Sequence, residues 1–133
     1  MKCFILILLL ISPAFLTGQD FRAIHQKIKS SVESRDYQNA VAELQSLKKI
    51  APEIFKLNNY DYLLARMAEK RGDLAAAAAN YQAVANRNSV LKDYALWHLA
   101  QIARASGNLM LERLYLQEIL AIAPNSLLIE AIN

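Results

Sequence analysis

The chain has 133 residues, with 15 Lys and Arg against 12 Asp and Glu, a formal charge of +3 and a single cysteine. That balance argues against nucleic-acid binding, because Lys27, Lys29, Lys48, Lys49, Lys70 and Arg71 are scattered in pairs instead of forming a stripe interleaved with aromatics. One cysteine excludes an internal disulfide, so packing alone must hold the fold.

The amino terminus is a separate object. Met1-Lys2 leads into an apolar run from Cys3 to Leu16, broken only by Ser12 and Pro13, and Thr17-Gly18-Gln19 then open a polar stretch. A membrane-crossing helix needs about 20 apolar residues, and this run is shorter and carries a proline. It predicts a secretory signal peptide over residues 1–18, cleaved after Gly18, with one helical domain over 19–133. The box of a lipid-anchored protein would need Cys where Gln19 stands. Cleavage would also remove Cys3.

Six helices follow, with an incipient seventh. Asp20 is the expected cap of the first, in which Phe21, Ile24, Ile28 and Val32 recur on one face. The second is expected over about residues 36–50, with Tyr37, Ala40, Val41, Leu44 and Leu47 inward, ending before Pro52. The third, about residues 58–71, stops at Gly72, which without a Cβ can take the left-handed conformation that closes a helix. Asp73 caps the fourth, whose run Ala75 to Ala79 predicts close helix approach. Asn86-Arg87-Asn88-Ser89 breaks the pattern, the fifth helix covers about residues 91–106, and Asn108 opens the sixth after Gly107. After Pro124 the chain resumes with Leu127, Leu128, Ile129 and Ile132, which read as the start of another first helix, so the repeat domain is expected to be incomplete at its carboxyl end unless the segment folds back over the last hairpin. Exposed together, these residues would form a self-association patch. No segment alternates with period two for long enough to be a strand, so the class is all-α.

Gly72 and Gly107 stand about 35 residues apart, and the segments around them can be overlaid, as can Arg35-Asp36-Tyr37 on Gly72-Asp73-Leu74. Small or apolar residues recur at Leu64, Ala65, Ala68, Ala77, Tyr81 and Val84, then at Leu99, Ala100, Ala103, Leu116, Ile119 and Pro124. This resembles the tetratricopeptide repeat over roughly residues 22–126 and implies a right-handed stack of helical hairpins, a solenoid of about three repeats. The sequence departs from the pattern at Lys27, Ser31 and Glu112. Glu112 occupies a small-residue position, where looser or rotated packing is expected.

Residues 60–66, 95–100 and 111–114 also resemble the helical region preceding the catalytic domain in some bacterial soluble lytic transglycosylases, which cleave peptidoglycan. No catalytic residue of that family can be carried over, since Glu33-Ser34 and Gly107-Asn108-Leu109-Met110 lack its motif context. His25 and His98 lie in different repeats without the Cys, Asp or Glu spacing of a metal site, and no phosphate loop or nucleophile constellation is present. No cofactor is implied. If first helices line a concave surface, as the repeat resemblance implies, Asn59, Tyr62, Arg66, Tyr94, His98, Gln101 and Arg104 face one groove, unless Tyr62 and Tyr94 serve packing and the arginines a solvated face. The expected function is an exported, non-catalytic module of the bacterial periplasm or envelope that binds protein or peptide. The alternative is the repeat region of a transglycosylase whose catalytic domain is not in this chain.

Overall fold

A computed structural model describes residues 17–132, so nearly all of the predicted signal peptide lies outside the described residues. Eight helices are present among them: α1 (Gly18–Glu33), α2 (Tyr37–Ile50), α3 (Pro52–Leu57), α4 (Tyr60–Lys70), α5 (Leu74–Ala85), α6 (Lys92–Ala105), α7 (Leu109–Ile122) and the single turn α8 (Ile129–Ile132). No strand occurs among the described residues. The helices pack as α1 on α2, α2 on α4, α4 on α5, α5 on α6 and α6 on α7. The fold is an all-α stack of helical hairpins.

Three hairpin turns share one geometry, which explains why the sequence period can be read. Arg35, Gly72 and Gly107 all have positive φ, at 61°, 78° and 76°. The next residue, Asp36, Asp73 or Asn108, sends its backbone N–H back to the carbonyl of Ser31, Ala68 or Ala103 at 2.9, 3.0 and 2.9 Å. That bond closes the helix behind it, and the left-handed residue is what lets the chain reach it. The same Asp or Asn then opens the next helix, its side chain accepting from the N–H of Asn39, Ala76 or Leu111 at 3.1, 3.0 and 3.1 Å. A Cβ on Gly72 or Gly107 would meet nothing within 4 Å, so φ rather than crowding favours glycine there.

Two local expectations are corrected. In the uncleaved chain Thr17, not Asp20, caps α1: its hydroxyl accepts from the Asp20 N–H at 3.2 Å while the Asp20 carboxylate accepts from the Thr17 N–H at 2.9 Å. Asp20 is thus the third helical residue of a capping box. The segment after Pro52 forms α3, which no periodicity announced in six residues. Pro52 supplies a preset first helical φ, Phe55 is buried, and the Lys48 ammonium lies 5.8 Å from the Phe55 ring centre. Asn59, at φ 53°, then turns the chain into α4.

The core divides into two clusters, and α4 separates them. Leu64, Met67 and Tyr60 join Ile28, Val41, Leu44, Leu47 and Phe55 on one side. Ala65 and Ala68 join Ala77, Tyr81, Val84, Leu96, Leu99 and Ile119 on the other. A helix that is apolar on two faces suits a stack in which each layer is covered twice. Of the five alanines, Ala77 is fully buried and Ala76 and Ala78 are partly so, but Ala75 and Ala79 are exposed. Close approach therefore explains the middle of the run only.

Glu112 occupies the place of Ala77 in the third hairpin without loosening it. Its carboxylate is buried, and Arg104 reaches it from α6, Nε to Oε1 at 2.6 Å. Ser31 is similarly buried, whereas Lys27 stays exposed and pairs with Glu43. Pro124 is exposed rather than interlocked.

The last segment repeats the entry into α6. The Ser89 hydroxyl accepts from the Leu91 N–H, and the Ser126 hydroxyl accepts from the Leu128 N–H. Lys92 and Ile129 donate to the carbonyls of those serines. Ile132 packs on the second core cluster, Leu128 and Ile129 are half-buried, and only Leu127, at 86%, is strongly exposed.

Candidate binding face of the first helices

The facing sides of α4 and α6 meet in a polar and aromatic cluster built over Tyr81 of α5. The Tyr81 ring is fully buried and stacks on His98, with centroids 4.7 Å apart and planes 3° from parallel. Tyr62 meets both rings edge-on, at 5.6 and 6.0 Å. Glu69 closes the cluster. It accepts from the Tyr81 hydroxyl at 2.6 Å and from Arg66 Nη1 at 3.0 Å, and lies 3.3 Å from His98 Nδ1. Arg66 Nη1 is also 3.1 Å from His98 Nε2.

Burial holds His98 below its ordinary imidazole range; Glu69 pulls the other way and Arg66 reinforces the shift. Burial also pushes the Tyr81 and Tyr62 hydroxyls up, and for Tyr81 the hydrogen bond to Glu69 adds to it. At neutral pH the cluster therefore holds a neutral imidazole, two protonated phenols and one Arg–Glu pair. A pH dependence follows. Because the folded value lies below the unfolded one of about 6.5, the unfolded chain binds more protons in the interval between them. Stability owed to neutral His98 is fully present above pH about 6.5 and is lost as pH falls through the lowered folded value. His98→Gln should flatten that acid-side slope in urea midpoints measured from pH 7.5 to 5, with Trp97 fluorescence as the probe. An unchanged slope would place the titration elsewhere.

Of the seven residues expected in one groove, Tyr62, Arg66 and His98 come together. Tyr94 and Gln101 are half-buried. Asn59 is drawn away: its Oδ1 accepts from Arg87 Nη2 at 2.9 Å and from the Ser89 hydroxyl at 2.7 Å. Arg87 also donates to Asp61 Oδ1 at 2.7 Å, pairs with Asp61 Oδ2 and reaches the Ala83 carbonyl at 3.1 Å. These contacts fasten the α5–α6 connection to the start of α4. Arg104 is spent on Glu112.

Sequence reasoning missed the other half of the face, between α1 and α4. His25 Nδ1 and the Tyr60 hydroxyl are hydrogen-bonded at 2.5 Å across these two helices. On one side of that bridge is a recess of about 380 Å³ bordered by Phe21, Arg22, Gln26 and Asn58. On the other is one of about 280 Å³ bordered by Ile28, Lys29, Val32, Glu33 and Leu63. The signal was present as a second apolar stripe, Tyr60, Leu63 and Met67, at spacings of three and four on α4.

Comparison with protein-family models, with curated proteins and with solved structures returns no match. Among the described residues, no group of three or more His, Cys, Asp or Glu side chains is placed to hold a metal ion, and no described helix is long and apolar enough to cross a membrane.

Proposed function

We propose that this chain is an exported, non-catalytic helical-repeat module, similar to tetratricopeptide-repeat proteins, that binds a protein or peptide in the bacterial cell envelope. The observation that carries the reading is the continuous face made by successive first helices. Side chains of α1 reach α4 and those of α4 reach α6, so one surface spans all three hairpins. Such a face offers a long contact at fixed spacing, which suits an extended or helical partner better than a small molecule. The short apolar leader with its polar exit supports export.

The transglycosylase reading gains nothing from the geometry. The residues that carried that resemblance include Leu64, Ala65, Ala95, Leu96, Leu99 and Ala100, all buried. Any stack of such hairpins would share them.

The test is selection of binders from a random-peptide display library on the purified protein, with affinities then measured by fluorescence anisotropy. One or a few related peptide classes are expected, together with no release of soluble fragments from purified peptidoglycan. Enrichment of no class would remove the binding reading, and fragment release would remove the non-catalytic one.

A further inference from the structure

Most of the face between α4 and α6 is already satisfied within the chain. Arg66, Glu69, Tyr81 and His98 bond to one another, so a ligand there would have to break contacts before making its own. The trough between α1 and α4 differs. Its inner recess has a floor of Ile28 and Tyr60, both buried, and walls of Val32 and Leu63, which stay partly exposed. From Phe21 to Val32 it runs about 16 Å along α1 at the helical rise.

The rim is basic. Arg22 borders the outer recess and pairs with no carboxylate among the described residues. Lys29 borders the inner one and has only a 3.8 Å pairing with Glu33 one turn on, with both side chains more than half exposed. Such a pair holds a lysine weakly. The two cations are seven residues apart on one helix face, about 10 Å, the separation of two carboxylates seven apart on a facing helix.

Resting on the peptide-binding reading above, we infer that the α1–α4 trough seats an acidic amphipathic segment of a partner protein, with an aliphatic side chain in the Ile28–Val32–Leu63 recess and carboxylates against Arg22 and Lys29. Charge selects this occupant over the chain's own leader, because residues 1–16 contain Lys2 and no Asp or Glu. A second copy would offer the exposed apolar face of α7, Leu109, Met110 and Leu114, but that face carries Arg113, and the α7 carboxylates Glu112 and Glu118 are paired with Arg104 and Lys92, so its charge does not complement the trough. His25 and Tyr60 stand between the two subsites, where their hydrogen bond fixes the floor.

The test uses three fluorescein-labelled synthetic 14-residue peptides, each with leucines on one helical face flanked by paired positions seven apart that are Glu, Gln or Lys. The wild-type protein should bind the Glu peptide most tightly. Arg22→Glu with Lys29→Glu, both exposed changes, should weaken it by about tenfold or more and favour the Lys peptide instead, with helical circular dichroism unchanged. Leu63→Gln should weaken all three peptides alike. Equal binding of all three peptides, or indifference of the Glu peptide to the charge reversal, would overturn the trough assignment. So would light scattering showing a dimer that the reversal dissociates. Display-selected peptides that bind regardless of Arg22, Lys29 and Leu63 would leave the general reading standing without the trough. Binding of no peptide by any route would remove both.

Discussion

Arg87→Met is expected to destabilise the chain by about 3 kcal/mol, the lower end of the range for breaking a buried ion pair. The Asp61 side chain is 5% exposed and the Arg87 side chain 27%. Removing the guanidinium strands the Asp61 carboxylate with a single 3.0 Å contact, from the Tyr62 N–H. It also releases Asn59 and the Ala83 carbonyl from the same cation. Urea unfolding followed by Trp97 fluorescence and by helical circular dichroism gives the loss. Asp61→Leu combined with Arg87→Met should recover a large part of it, because an apolar pair at that site leaves no charge unsolvated. A single-variant loss below about 1 kcal/mol would mean that backbone contacts alone hold the α5–α6 connection.

This ion pair also marks where the sequence stops being legible. Helix positions could be read because each hairpin turn needs a left-handed residue followed by a capping Asp or Asn, and both types are rare enough to recognise in Gly72-Asp73 and Gly107-Asn108. Arg35-Asp36 follows the same geometry with a residue that seldom adopts it, and was legible only through the repeat. Core positions followed from the period for the same reason. The candidate site did not. Whether Arg66 turns to a ligand or to Glu69 and His98 depends on the relative rotation of α4 and α6, and a stripe of polar residues on one helix carries no information about that. Arg87 lay in a stretch readable only as a break, yet it bonds to four residues on two sides of the connection. The α1–α4 trough depended on α3, since α3 and the left-handed Asn59 set where α4 begins relative to α1. A six-residue helix has too few turns to show a period.

The third hairpin tolerates a glutamate where the second has an alanine, and that contrast sets the other large expectation. Ala77→Leu should cost about 1–3 kcal/mol, because Ala77 is fully buried at the α4–α5 crossing and added methylenes force strain. Ala77→Glu should cost more, about 4 kcal/mol, enough to unfold a marginal domain. At the corresponding place in the third hairpin, Glu112 meets Arg104; in the second hairpin the counterpart of Arg104 is Glu69, already holding Tyr81 and Arg66. The new carboxylate would thus be buried beside a like charge. Glu112→Ala should instead cost under about 1 kcal/mol, because it leaves Arg104, whose side chain is 62% exposed, in reach of water. Urea midpoints of the three variants test the contrast: comparable losses for Ala77→Glu and Glu112→Ala would mean that the two crossings are not equivalent and that the repeat register fails at the third hairpin.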